Sequence, residues 1–100
     1  MKYVLVAQFP ELAMSYDKVI DLEEVLINEL EGIAEIDGHD IGSGEINYFI
    51  FTNDVTEVCE KILLLLTDEL KGEVKVAYRD AEGNDYSVIY PRDHASFQVS

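Results

Sequence analysis

Two runs of this chain, Lys2–Phe9 (KYVLVAQF) and Glu45–Thr52 (EINYFIFT), carry apolar side chains in both phases of strand alternation. A strand with one wet face alternates apolar and polar residues. A strand apolar in both phases must be covered on both faces, which places it in the centre of a sheet. Pro10 ends the first run, because proline has no amide proton for a ladder. Two further strand-like runs differ in kind. Ile33–Ile41 contains Glu35, Asp37, Asp40 and a glycine, and Glu73–Asp80 keeps Val74, Val76 and Tyr78 in one phase with charges in the other. Charged strands suit sheet edges, where they also block further pairing.

Helical periodicity fills the gaps. Val19, Leu22, Leu26 and Leu30 recur at helical spacing, with Val25 widening the stripe, and Gly32 is the stop. Ser15 or Asp17 can cap an early start, and Asp21 with Glu24 has capping-box spacing for a later one. A second helix is predicted from a Thr52 or Asn53 cap to about Leu70 or Lys71, ending at Gly72. Gly42-Ser43-Gly44 is a hairpin turn, Ala81–Asp85 is another turn, and Tyr86–Tyr90 is a short last strand closed by Pro91.

The order is therefore β-α-β-β-α-β with one extra C-terminal hairpin strand. That is the ferredoxin-like, or split βαβ, arrangement: an α+β two-layer sandwich with an antiparallel sheet and both helices on one face. In it the first and third strands are central, which matches the two runs that are apolar in both phases. The other sheet face has no intrachain cover. Apolar residues there, Tyr3 or Val4 and Tyr48 or Phe49, predict a patch for self-association or a partner.

One hundred residues suit one domain, read as 1–91, followed by a polar tail, 92–100, that holds His94 and Phe97. The longest aliphatic block, Ile62–Leu66, falls far short of the roughly 20 residues of a membrane span. The N-terminus reads as a strand, not a signal peptide. The single cysteine excludes an internal disulfide and any multi-cysteine zinc site, and no cofactor motif is present. These features point to the cytoplasm. A formal net charge of −14 disfavours nucleic acid and anionic membranes as partners and suits a basic protein.

Chemistry-bearing side chains concentrate around the hairpin. Asp37, His39, Asp40, Glu45 and Asn47 fall on two strands joined by a tight turn, and opposite Cβ atoms in such a pair lie about 5 Å apart. Parity makes Asp37 and His39 neighbours with Asp40 opposing them. A carboxylate beside His39 would equip it as a general base, and two or three carboxylates with the imidazole could ligate a cation, although no metal site is assigned. Asn47, Ser43, Tyr48 and Phe49 are the candidate binding residues. The plainer reading makes Asp37, His39 and Asp40 edge and turn residues. Gly42-Ser43-Gly44 is no phosphate loop, because it joins strand to strand and lacks the Gly-Lys-Ser/Thr ending. Cys59 falls on an apolar helix face, as a buried inert thiol does.

The stretch Gly38–Asp54 (GHDIGSGEINYFIFTND), with VLVAQF near the start and YSVIYP near the end, resembles a group of small bacterial proteins. The resemblance covers about residues 3–91 and implies a bacterial cytoplasmic protein with a compact α+β fold. It brings no reaction with it. In size and charge alone the chain also resembles immunity proteins of bacterial toxin systems. The expectation is a non-enzymatic interaction or regulatory module that forms a homodimer through its open sheet face. The alternative is a small enzyme or ligand-binding domain with its site at Asp37, His39, Asp40 and Glu45.

Overall fold

A computed structural model describes residues 1–92; the predicted tail lies outside the described residues from 93 onward. The elements are β1 (Tyr3–Pro10), α1 (Tyr16–Glu29), β2 (Ala34–Gly42), β3 (Glu45–Thr52), α2 (Val55–Leu65), α3 (Asp68–Lys71), β4 (Lys75–Asp80) and β5 (Ser87–Tyr90), with one 3₁₀ turn at Glu11–Ala13. The fold is α+β. Its single sheet has the order β2-β3-β1-β4-β5, antiparallel throughout, with β1 and β3 inside as their two-phase apolar patterns require.

One face of the sheet carries the core. Leu5, Ala7 and Phe9 of β1, Ile46, Tyr48 and Ile50 of β3 and Val76 of β4 pack with Val19 and Leu26 of α1, with Leu30 at its C-cap and with Val58, Cys59 and Ile62 of α2. Both helices therefore lie on the same side. Tyr48 is the largest fully buried side chain, and its hydroxyl donates to the Val19 carbonyl oxygen at 2.8 Å. Phe9 meets its ring edge-to-face, with centroids 6.0 Å apart.

The caps settle where each helix begins. Ser15 caps α1 by accepting from Lys18 N, so the early start is the one used. Asp54, not Thr52 or Asn53, caps α2 by accepting from Glu57 N at 3.0 Å. Asn53 turns back to accept from Lys2 N, and the fully buried Thr52 hydroxyl donates to Ile33 O. The single helix expected as far as Leu70 or Lys71 is two. Leu66 adopts an extended conformation and stays buried, and Thr67 caps α3 through Leu70 N. The cap at Thr67 competes successfully with helix propagation, because a side-chain acceptor satisfies an amide that a new helix start exposes.

The second sheet face corrects an expectation. It is formed by Val4, Val6 and Gln8, by Asn47, Phe49 and Phe51, and by Ala77 and Arg79. Val4 is 4% exposed and Val6 and Ala77 are 0% exposed, so the centre of this face offers little apolar surface to a partner. Tyr48 and Tyr3 fall on the helix side, and Phe49 and Val4 on this one. Phe49 and Phe51 remain partly exposed. Arg79 folds over the β4–β5 turn, donating to the carbonyls of Asp80, Ala81 and Gly83 and lying over the Tyr86 ring.

The β2–β3 hairpin and the bulge in β2 each place residues at positive φ for a reason. The β2–β3 hairpin turns through Ser43 (φ 55) and Gly44 (φ 82), the left-handed pair a two-residue loop needs. Gly38 (φ 147) follows a bulge in β2, where the register against β3 shifts between Ile36 and Gly38. Serine is poorly suited to its position and glycine is required at the other. Ser43→Asn is expected to stabilise the chain by about 0.5 kcal/mol and Gly38→Ala to destabilise it by about 1–3 kcal/mol, read as opposite shifts of the denaturant midpoint.

Candidate functional site

The bulge decides which of the hairpin's polar residues can meet. A regular strand would put Asp37 and His39 on one face. Asp37 is instead the extra residue between the paired positions Ile36 and Gly38, and it is exposed. His39 pairs with Tyr48 and points to the helix side; Asp40 pairs with Asn47 on the opposite face and is exposed. The three residues therefore do not converge. Glu45 begins β3 opposite Gly42 and Pro10, and Ser43 stands exposed at the turn.

His39 finds its carboxylate elsewhere. Its Nδ1 lies 2.8 Å from Glu23 Oε2 of α1, with both side chains 20% exposed. Glu23 lies four residues after Val19 and three before Leu26, so it sits on the helix's inward stripe. A carboxylate on an apolar stripe is a readable signal that a buried or half-buried partner awaits it, and the sequence reading passed over it. The His39 ring also lies 6.3 Å from the Tyr48 ring. Burial raises the Tyr48 phenol far above its ordinary value, and the Glu23 charge adds to the effect, so Tyr48 stays a neutral hydroxyl donor.

Asn47 is 1% exposed and accepts from Gln8 Nε2 at 2.9 Å. Gln8, in phase with Val4 and Val6, is the second residue that the sequence reading missed. The two amides form a polar pair inside the second face. Tyr48 is likewise wholly buried, so of the four candidate binding residues only Ser43 and Phe49 keep surface. Among the described residues no group of three or more His, Cys, Asp or Glu side chains could hold a metal ion. None of the main clefts is lined by Asp37, His39 or Asp40. No helix among the described residues is long and apolar enough to cross a membrane.

The arrangement is one of structural pairs. His39–Glu23 ties β2 to α1, and it is half-sheltered, so its coupling is modest. A double-mutant cycle of His39→Gln and Glu23→Gln is expected to give about 0.5–1 kcal/mol of coupling in unfolding free energy. Cys59 is 4% exposed, and burial, then the nearby Glu60 charge, push its thiol up to about 11. The folded chain thus holds this proton above pH 9.0, where the unfolded thiol releases it. The associated stability is complete below pH 9.0 and is lost as pH rises to about 11. Cys59→Ala is expected to flatten the fall of the unfolding free energy between pH 9.0 and about 11, read from denaturant melts across that range.

No family model, curated protein or solved structure matches the chain.

Proposed function

We propose that this chain is a non-enzymatic protein-interaction module whose partner is a basic protein. The formal net charge of −14 is the observation that carries the reading. A surface of that sign steers cationic partners and repels phosphate backbones. Masking a basic toxin, as an immunity protein does, is one specific form. The ferredoxin-like name for the fold belongs to the same proposal: its support is the strand order β2-β3-β1-β4, with both helices on one side. So does a bacterial cytoplasmic setting, which rests on the resemblance of Gly38–Asp54.

Self-association through the second sheet face loses most of its ground. Val4, Val6 and Ala77 have almost no surface to contribute, and only Phe49 and Phe51 retain some. An enzymatic reading has one observation in its favour, the 2.8 Å His39–Glu23 contact, but neither residue lines any of the main clefts among the described residues. Burial of Asn47 and the dispersal of Asp37, Asp40 and Glu45 leave that histidine without a substrate site.

Affinity capture from the host cell at two salt concentrations tests the reading. The expected result is a basic protein retained at about 0.05 M salt and released by about 0.5 M, because screening shortens the reach of surface charge. The free chain should scatter light as a particle of 11.3 kDa. Recovery of a small-molecule ligand in place of a protein would defeat the proposal, and a doubled mass would restore the dimer.

A further inference from the structure

Helix α1 has more apolar surface than the sheet uses. Val19, Leu26 and Leu30 are its fully buried contacts with the core, and Leu22 packs against that core only partly buried. Leu22 and Val25 lie on its flank, and Val25 is 40% exposed. They face Leu65, Leu66 and Leu70 across a groove of about 200 Å³, which Met14, Lys18 and Asp21 help to line. At one end Met14, Lys18, Thr67 and Leu70 also bound a wider hollow of about 630 Å³ whose rim carries Glu69 and Glu73. The two hollows share Met14, Lys18, Thr67 and Leu70, so they adjoin as one trough between α1 and the α2–α3 junction, most apolar along Leu22, Val25, Leu65 and Leu66.

We propose that this trough docks a cationic amphipathic helix from another protein, an inference that rests on the interaction-module reading and names its surface. Two observations select the occupant. An apolar trough of this kind suits a helix that presents a stripe of anchors at i, i+3, i+4 and i+7. Charge then fixes the sign of the polar face. Asp21, Glu69 and Glu73 flank the trough against one cation, Lys18. The three helices together hold nine carboxylates, five on α1 and two each on α2 and α3, against one lysine on each. A second copy of the chain would bring that same negative surface into contact with itself, so self-docking here is opposed by charge. A partner helix with lysine or arginine beside its apolar stripe meets both features at once.

The test uses two synthetic peptides with the same leucine stripe on an amphipathic helix of about 18 residues, one with lysine and one with glutamate at the polar positions. Binding is followed by amide chemical shifts of the labelled protein. The lysine peptide is expected to bind, with shifts centred on Lys18, Leu22, Val25, Leu65 and Leu70. Its affinity should weaken at least about tenfold from low to physiological salt, and the glutamate peptide should not bind. Val25→Lys should weaken binding by at least about tenfold. Leu64→Lys adds the same charge at a residue that is 81% exposed and does not line the trough, and it should leave affinity within about twofold. Should Val25→Lys lower the unfolding midpoint, the pair Asp21→Asn and Glu69→Gln replaces it, with a reduced salt slope as the expected result. Equal weakening by Val25→Lys and Leu64→Lys, or shifts centred on Phe49 and Phe51, would overturn the trough while leaving the interaction reading intact. Failure of the lysine peptide to bind overturns it too, whereas the broader reading fails only if capture yields no basic protein.

Discussion

The buried hydroxyl of Tyr48 is the constraint on which the arrangement of layers depends. A phenol sealed in a core must find a hydrogen-bond partner, since leaving it unpaired costs about 1–3 kcal/mol. Here it donates to the Val19 carbonyl in the first turns of α1. That bond, with the packing of Val19, Leu26 and Leu30 on the sheet, constrains both how far α1 sits along β3 and how it is rotated. Rotation places Val19, Leu26 and Leu30 inward, and it carries Glu23 to the edge, where His39 of β2 waits at 2.8 Å. The same rotation leaves Leu22 and Val25 on the opposite flank. The His39–Glu23 contact on one side of α1 and the trough on the other are consequences of one helix setting.

A second buried polar contact orders the other face. Gln8 and Asn47 are directly opposed on β1 and β3, and both are buried, at 3% and 1% exposure. An amide pair surrounded by Val and Phe contributes less through its own bond than through the penalty for separating it. A one-residue slip of β1 against β3 would set each amide against an apolar neighbour and turn Val4 and Val6 toward the helices. The pair therefore specifies register, in the manner expected of polar groups in an otherwise apolar sheet. That gives Asn47 an architectural use which its position beside the glycine turn did not suggest.

Much of the architecture could be read from the chain, for identifiable reasons. Period-two patterns and glycine turns report local geometry directly, so β1, β3, the hairpin and the central placement of both strands followed from KYVLVAQF, EINYFIFT and Gly42-Ser43-Gly44. What escaped the reading depended on competition between near-equal local options. Thr52, Asn53 and Asp54 can each cap a helix, and only the tertiary demands of Ile33 O and Lys2 N assign them. The aliphatic block from Ile62 to Leu66 shows the same limit, because it reads as continuous helix until Thr67 supplies a new cap. The polar cluster does not converge because a bulge at Asp37 cancels the parity rule on which convergence depends. Glu23 was legible in principle, since a carboxylate four residues after Val19 lies on the apolar stripe.

The distribution of charge along the helices carries the last step. Asp17, Glu57, Asp68 and Glu69 occupy first turns, where the positive end of the helix dipole favours them. The other ends are not balanced. Neither α1 nor α2 has a basic residue in its last turn, and α1 finishes on Glu29 with Glu31 just beyond. Negative charge at a helix C-terminus is unfavourable by roughly 0.3–1 kcal/mol per group at low salt. An isolated chain under pressure only for stability has no use for this arrangement, because one lysine near Glu29 would relieve it. On the proposed reading, a cation on a partner helix would relieve the same repulsion, and it would do so only once that helix is docked.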